Sequence, residues 1–173
     1  ANGLYSAGAP GLGNQVIGVA SFDNRDILLK LFLISPDDRP IGYGVASSAP
    51  EPPTSGTFPM ARTGTVASTA DACTTLPANS LSGKIALIRR GTCTFHQKAL
   101  NAMNAGAIGV VLYNNNPGRF SATVAGTPAI TIPVVTISDT EGALIDSRLA
   151  SGDVFLTWTD QEDSFPNPTG GLI

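Results

Sequence analysis

The side chains that most often perform chemistry in proteins are scarce in this sequence. Its 173 residues include one histidine, His96, and two cysteines, Cys73 and Cys93. A Ser-His-Asp or Cys-His hydrolase site needs a histidine, and a structural zinc site usually takes four Cys or His ligands. An autonomous hydrolase built on His96 would lack an obvious acid or nucleophile partner. We therefore predict a chain with no catalytic residues, no metal site and no cofactor.

Charge and composition also exclude classes of partner. The net charge is −3, and the ten basic residues are spread along the chain, with Arg89-Arg90 as the only adjacent pair. The absence of a basic patch argues against a nucleic-acid partner, and no apolar run approaches the length of a membrane span. With 42% hydrophobic residues, 13% charged residues, 19 glycines and 13 prolines, the chain should fold with short elements and many turns.

The elements that would position polar side chains are clearest in the second half of the chain. Residues 85–88 and 108–113 are continuous apolar runs, typical of buried strands. Between them, the capping-box pattern from Thr94 to Gln97 starts a helix over about 95–105 that Gly106 ends. Strand, helix and strand in this order form a βαβ unit, so the two strands should lie parallel.

Weaker patterns predict the remaining elements. A second capping box, from Ser138 to Glu141, starts a helix that Gly152 ends. Turn-forming residues predict a turn and a surface loop before the βαβ unit, and the chain's last residues are polar and then rich in Pro and Gly. Further strands are predicted at 15–21, 27–34, 64–67, within 129–137 and at 154–159. The predicted turn spans 35–40, the predicted surface loop spans 46–59, and the polar tail spans 161–173.

Two loops follow the central strands, at the edge where α/β folds place ligands. In the first, Gly91 would allow a close backbone approach, and the first-turn amides of the following helix favour a carboxylate. In the second, amides could bind an extended peptide and Phe120 could anchor a side chain. The candidate binding residues are Arg89, Arg90, Gly91, Thr92, Asn114, Asn115, Asn116, Arg119 and Phe120. The competing interpretation is that both loops are solvated turns.

The segment from Cys73 to Ala150 resembles the protease-associated (PA) domain. The matching residues include 83–95 (GKIALIRRGTCTF), 109–114 (GVVLYN) and 132–138 (IPVVTIS). The resemblance implies a β-rich α/β fold of the swivelling β/β/α type: an open β-sandwich or barrel with two short flanking helices. It also implies that the chain itself is non-catalytic.

The two ends of the chain resemble a different family. Residues 16–24 are similar to a strand of subtilisin-like proteases that follows the catalytic histidine region, and 169–173 are similar to the point where that catalytic domain resumes. We therefore expect a PA domain over 25–168, inserted between host flanks at 1–24 and 169–173. An inserted domain must leave and rejoin its host, so its ends should lie close together.

The resemblance carries the functional hypothesis. It implies a secreted, extracellular subtilisin-like serine protease as parent, with the host catalytic domain and a protein or peptide substrate as partners. In plant sorting receptors with this domain, a loop similar to Arg90-Gly91 helps hold the cargo peptide. We predict a protein-interaction module that recognises substrate or controls access to the host's active site. The alternative is a structural spacer or dimerisation element.

The resemblance and the secreted setting also bear on the two cysteines. In a secreted chain, Cys73 and Cys93 at this spacing would form one disulfide. The alternative is a pair of free buried thiols in a cytosolic protein.

Overall fold

The apolar runs of this sequence close into a β-barrel. A computed structural model describes residues 26–166, and in that range the chain forms seven strands and two helices. They are β1 (Asp26–Ile34), β2 (Arg39–Val45), β3 (Thr57–Arg62), β4 (Ile85–Arg89), α1 (Phe95–Asn104), β5 (Gly109–Tyr113), β6 (Val134–Ile137), α2 (Asp139–Ser151) and β7 (Phe155–Pro166). The predicted fold class, β-rich α/β with two short flanking helices, is confirmed, and the strands close into a barrel where an open sandwich or barrel was expected.

Strand order around the barrel is β1-β2-β6-β5-β4-β3-β7. The strands β3, β4, β5 and β6 run parallel to one another, and the remaining pairs are antiparallel. The predicted βαβ unit is confirmed, because Ile85 pairs with Gly109 and Arg89 with Tyr113. All five residues of β5 are buried, which is why this strand is a continuous apolar run rather than an alternating one.

Two apolar clusters lie on opposite faces of the parallel strands. The barrel interior holds Phe32, Tyr43 and Trp158, whose ring centroids lie 5.6–5.8 Å apart. The second cluster packs small residues of α1 against β4 and β5. Helix α2 packs on the barrel at Tyr113, and a Cβ at Gly142 would lie 2.2 Å from that side chain. Only glycine permits this approach of helix to strand.

The two predicted capping boxes differ in the structure. At α2, the Ser138 hydroxyl accepts from the Glu141 N–H, and the Glu141 carboxylate accepts from the Ser138 N–H. At α1, the Thr94 hydroxyl accepts from the Gln97 N–H, but the Gln97 side chain donates to the Cys73 carbonyl instead. The second half of that box is missing because Gln97 holds a neighbouring loop.

Several strand predictions were wrong in position. Residues 64–67 form turns, and β3 instead occupies part of the predicted loop at 46–59. The predicted strand within 129–137 contracts to β6, which begins directly after Pro133. In contrast, β7 extends through 161–166, where a polar tail was predicted, because those residues pair with the start of β1.

The strand β2 was not predicted, because Pro40, Gly42 and Gly44 interrupt its apolar pattern. A tertiary contact explains the glycine at position 42, because a Cβ there would lie 2.5 Å from the Phe165 ring.

The ends of the described chain lie side by side. Asp26, the first residue of β1, pairs with Pro166, the last residue of β7. This is the arrangement that an inserted domain requires. The predicted strand at 15–21, the flanks at 1–24 and 169–173, and the outer bounds of the 25–168 domain lie outside the described residues, so the domain boundaries stay a prediction.

Candidate functional site

The parallel strands bring the two predicted binding loops to one edge of the barrel. The strands β4 and β5 end at Arg89 and Tyr113, which pair directly. Both helices begin at the same edge, because α1 and α2 each start a few residues after a parallel strand. Their first-turn N–H groups therefore lie beside the loops that leave β4 and β5.

Residues from both loops meet around the Arg90 guanidinium. Its Nη1 donates to the Asn114 Oδ1 at 3.2 Å, and its central carbon lies 5.3 Å from the centroid of the Phe120 ring. The Phe95 ring lies against Phe120, with 5.4 Å between ring centroids. We call Arg90, Phe95, Asn114 and Phe120 the Arg90 cluster. Arg90 is half-buried, so it combines an oriented positive charge with an aromatic surface.

The asparagines divide into a buried one and two exposed ones. Asn114 is 4% exposed, and its Nδ2 donates to the Gly118 carbonyl at 2.9 Å. Its Oδ1 accepts from the N–H of Asn115 at 2.9 Å and of Asn116 at 3.4 Å, which shapes the turn. Asn115 and Asn116 are exposed and have no side-chain partner in the described part of the chain. Asn114 therefore positions Arg90, whereas its two neighbours present their side chains to solvent.

Arg89 and Arg119 point away from the Arg90 cluster. The Arg89 guanidinium donates to the Ser68 carbonyl at 2.9 Å. The Arg119 guanidinium lies on the other side of the 114–120 loop, where it donates to the Gly42 carbonyl and pairs with Glu141, both at 2.6 Å. Of the three predicted arginines, only Arg90 joins the cluster.

Gly91 has a close backbone neighbour, but the neighbour belongs to the same chain. A Cβ at Gly91 would lie 2.0 Å from the Thr69 carbonyl oxygen, which accepts a hydrogen bond from the Thr92 N–H at 3.0 Å. Gly91 therefore allows a close backbone approach, as predicted, but the approach is to Thr69 of the same chain rather than to a ligand. Thr92 is exposed beside it.

Sequence reasoning missed the segment that supports this loop. Six successive carbonyls, from Ser68 to Cys73, each accept a hydrogen bond, and we call 68–73 the clamped segment. The donors are Arg89, Thr92, the Cys73 N–H, Lys98, Asn101 and Gln97. Three of them come from α1, so polar residues on that helix hold the segment in place. The sequence signal for this contact was the spacing of the polar residues Gln97, Lys98 and Asn101 along α1.

Lys98 is the most unusual of these donors because it is fully buried. Its Nζ donates to the Asp71 carbonyl and lies 3.8 Å from the Cys73 Sγ. Burial lowers the pKa of Lys98, and the nearby Asp71 carboxylate acts in the opposite direction. That carboxylate is itself occupied, accepting from the Thr63 hydroxyl at 2.7 Å and the Arg89 N–H at 2.8 Å.

The predicted Cys73–Cys93 disulfide is confirmed. The sulfur atoms are bonded, and the two Cα atoms lie 5.7 Å apart. The bond links the end of the clamped segment to the residue before the α1 cap. It therefore ties the loop that carries Arg90 to the clamped segment.

The one histidine of the sequence, His96, contacts a backbone carbonyl. The His96 Nε2 lies 2.8 Å from the Pro128 carbonyl oxygen, so His96 fastens the long loop before β6. Within residues 26–166, no three His, Cys, Asp or Glu side chains are grouped so that they could hold a metal ion. Neither helix in that range is long and apolar enough to span a bilayer.

Comparison with known families agrees with this architecture. The sequence model described as PA domain matches residues 59–145, which is half of the chain. The chain belongs to the PA domain family. The match includes the clamped segment, the disulfide, the Arg90 cluster and the start of α2.

Several relatives of this PA domain are peptidases. The chain is 42% identical over 84 residues to leucine aminopeptidase 2 of Trichophyton equinum, an alignment that covers 49% of the chain and 17% of the relative. It is 40% identical over 78 residues to the minor extracellular protease Vpr of Bacillus subtilis, covering 45% and 9%. Matches to both proteins thus span less than a fifth of the relative's length.

A solved structure extends the likeness to most of the chain. The zinc aminopeptidase BSAP of Bacillus subtilis is 28% identical with a TM-score of 0.54, covering 83% of this chain and 34% of that protein. The predicted protease context is supported, whereas the predicted subtilisin-like host is not, because these names point to aminopeptidases and an extracellular protease.

Proposed function

We propose that this PA domain is a non-catalytic protein-interaction module of a secreted peptidase. In this proposal the Arg90 cluster receives a segment of the protein substrate and so controls which chains reach the active site. The observation that supports it is the convergence of two loops on one half-buried guanidinium, stacked on Phe120. The disulfide and the extracellular relative support secretion.

The chemistry of the cluster indicates the kind of segment it would bind. The guanidinium and the first-turn amides of α1 favour a carboxylate. The Phe95 and Phe120 rings would contact an apolar side chain next to it. Asn115 and Asn116 add exposed amides for a peptide backbone. An extended segment with an acidic and an apolar residue in succession fits this surface.

A charge-matched pair of variants tests the Arg90 cluster. Arg90→Gln and Lys30→Gln each remove one positive charge, but Lys30 lies on β1 with half its side chain exposed. Binding of unfolded casein, used as an extended protein probe, should weaken about tenfold in Arg90→Gln, and Lys30→Gln should bind as the original chain does. Because Arg90 makes one side-chain hydrogen bond and one ring contact, Arg90→Gln should reduce the free energy of unfolding by only about 1 kcal/mol. Equal binding by both variants would remove the Arg90 cluster from the proposal.

The proposal also concerns which class of peptidase contains this domain. A subtilisin-like host rests on residues 16–24 and 169–173, whereas the similarity to leucine aminopeptidase 2 and BSAP favours a zinc aminopeptidase. The two hosts differ in their inhibitors. Loss of the parent protein's activity with a chelator would assign the aminopeptidase host, and loss with a serine-reactive phosphonate would assign the subtilisin-like one.

Host kinetics separate a recognition module from a structural spacer. The parent enzyme is compared with a version in which 25–168 is replaced by a Gly/Ser linker, on a small chromogenic peptide and on a large protein. A recognition module predicts loss of activity on the protein alone. Parallel loss on both substrates, together with lower stability, would assign the spacer role.

A further inference from the structure

A second concave surface lies across the 114–120 loop from the Arg90 cluster. It is a groove of about 400 Å³ between the start of β2, the 117–119 turn, the first turn of α2 and the end of β7. Its apolar lining residues are Pro40, Ile41, Pro117, Phe165 and Pro166. Three prolines and a phenylalanine make rigid walls, so the groove needs little ordering to bind a side chain.

One wall of the groove carries a buried donor without an acceptor. The Arg119 side chain is only 8% exposed, and its two terminal nitrogens donate to the Gly42 carbonyl and the Glu141 carboxylate. Its Nε N–H is buried and has no hydrogen-bond partner among residues 26–166. Buried donors are nearly always paired, so this N–H indicates an acceptor supplied from outside the described chain.

Backbone donors lie at the same groove. Asp139 and Thr140 belong to the first turn of α2, where N–H groups have no acceptor within the helix. The N–H groups of the two residues that follow are already used, by the Ser138 hydroxyl and the Ser138 carbonyl. Thr140 is exposed at the mouth of the groove.

The charges at the groove are balanced, which indicates an uncharged occupant. Arg119 pairs with Glu141, Asp139 accepts from the Gly118 N–H at 2.8 Å, and the exposed Arg39 also lines the groove. A free carboxylate would meet Asp139, and an ammonium would meet Arg39 and the helix N-terminus. An uncharged peptide carbonyl is repelled by neither group, and it can accept hydrogen bonds from the N–H groups that lack partners.

We propose that this groove binds an uncharged, extended peptide segment, with one apolar side chain between the proline walls and a backbone carbonyl on the Arg119 Nε N–H. The Phe165 ring, whose centroid lies 5.4 Å from the Arg119 guanidinium carbon, covers one face of that guanidinium. The inference rests on the proposed role in peptide recognition but does not depend on Arg90. Arg119 and Phe120 are adjacent in sequence and face opposite sides of the loop, so a segment crossing the loop would reach both surfaces.

The direct test follows the Arg119 Nε N–H signal by NMR in the ¹⁵N-labelled 173-residue chain. The probes are three blocked peptides, acetyl-Ala-Ala-Leu-Ala-Ala-amide and the same peptide with Asp or Lys in the centre. The Leu peptide should shift the Arg119 Nε N–H signal and the Gly118 and Thr140 amides. The affinity read from these three signals should be about tenfold higher for the Leu peptide than for either charged peptide.

Two variants of α2 locate the binding. Thr140→Tyr fills the mouth of the groove, and Ala143→Tyr places the same side chain at an exposed position one turn along the helix. Thr140→Tyr should weaken Leu-peptide binding about tenfold, and Ala143→Tyr should leave it unchanged.

The outcomes separate this inference from the proposed function. Loss of Leu-peptide binding in Arg90→Gln but not in Thr140→Tyr would place the peptide at the Arg90 cluster and overturn the groove. An unmoved Arg119 Nε N–H signal at millimolar Leu peptide, or equal affinity for the three peptides as read from the Arg119, Gly118 and Thr140 signals, would also overturn it. Groove binding without an effect of Arg90→Gln on casein would retain the groove and reject the Arg90 cluster.

Discussion

Gly91→Ala tests how the Arg90 loop is seated. The added Cβ would lie 2.0 Å from the Thr69 carbonyl oxygen, whereas real Cβ atoms are essentially never closer than 3.0 Å to a neighbouring atom. The two backbones must therefore separate by about 1 Å, which lengthens the hydrogen bond from the Thr92 N–H to the Thr69 carbonyl. Overpacking costs about 1–3 kcal/mol and the weakened bond about 1 kcal/mol. We expect the free energy of unfolding to fall by about 2–4 kcal/mol.

The measurement is urea unfolding with the disulfide intact, and Gly152→Ala is the matched control. Gly152 follows α2 with an extended backbone at φ 169°, and a Cβ there would meet nothing within 4 Å. Its replacement should leave stability unchanged or raise it by up to about 1 kcal/mol. Gly91→Ala should also weaken casein binding, because the loop carries Arg90. If Gly91→Ala and Gly152→Ala had equal stability, the argument from the Thr69 contact would be refuted.

Two further perturbations test the interior of the domain. Replacing both cysteines with Ser should lower the free energy of unfolding by about 3 kcal/mol through loop entropy. The Thr69 amide signal should stay unmoved, because all six hydrogen-bond donors to the clamped segment remain. A large shift of that signal would contradict the clamp. Tyr113→Phe should leave stability at pH 7 unchanged or raise it by up to about 1 kcal/mol, because the Tyr113 hydroxyl is buried without a partner in the described range. Burial, and then the Asp146 and Asp71 carboxylates, raise the pKa of Tyr113 to about 12 from 10.0. The neutral phenol therefore supports folding below pH 10, and that contribution is lost as the pH rises through about 12. In alkaline unfolding, Tyr113→Phe should lose less stability over this pH range than the original chain.

Local patterns predicted the centre of the domain well. The strands β4 and β5, both helices and their parallel arrangement depend on continuous apolar runs and on caps within a few residues. The disulfide and the PA fold came from a resemblance carried by the same stretch of sequence. The scarcity of histidine and cysteine is a property of composition, so no arrangement of these 173 residues could assemble the four Cys or His ligands that structural zinc sites usually take.

The tertiary structure decided which candidate residues meet. Arg89, Arg90 and Arg119 are equivalent as sequence, but strand pairing directs one to the clamped segment, one to Phe120 and one to the groove. The strands β2 and β7 were misjudged because their partners are distant: Asp26 pairs with Pro166, and Gly42 is small to admit Phe165. Periodicity reports only neighbours along the chain, whereas these choices depend on contacts between residues more than a hundred positions apart.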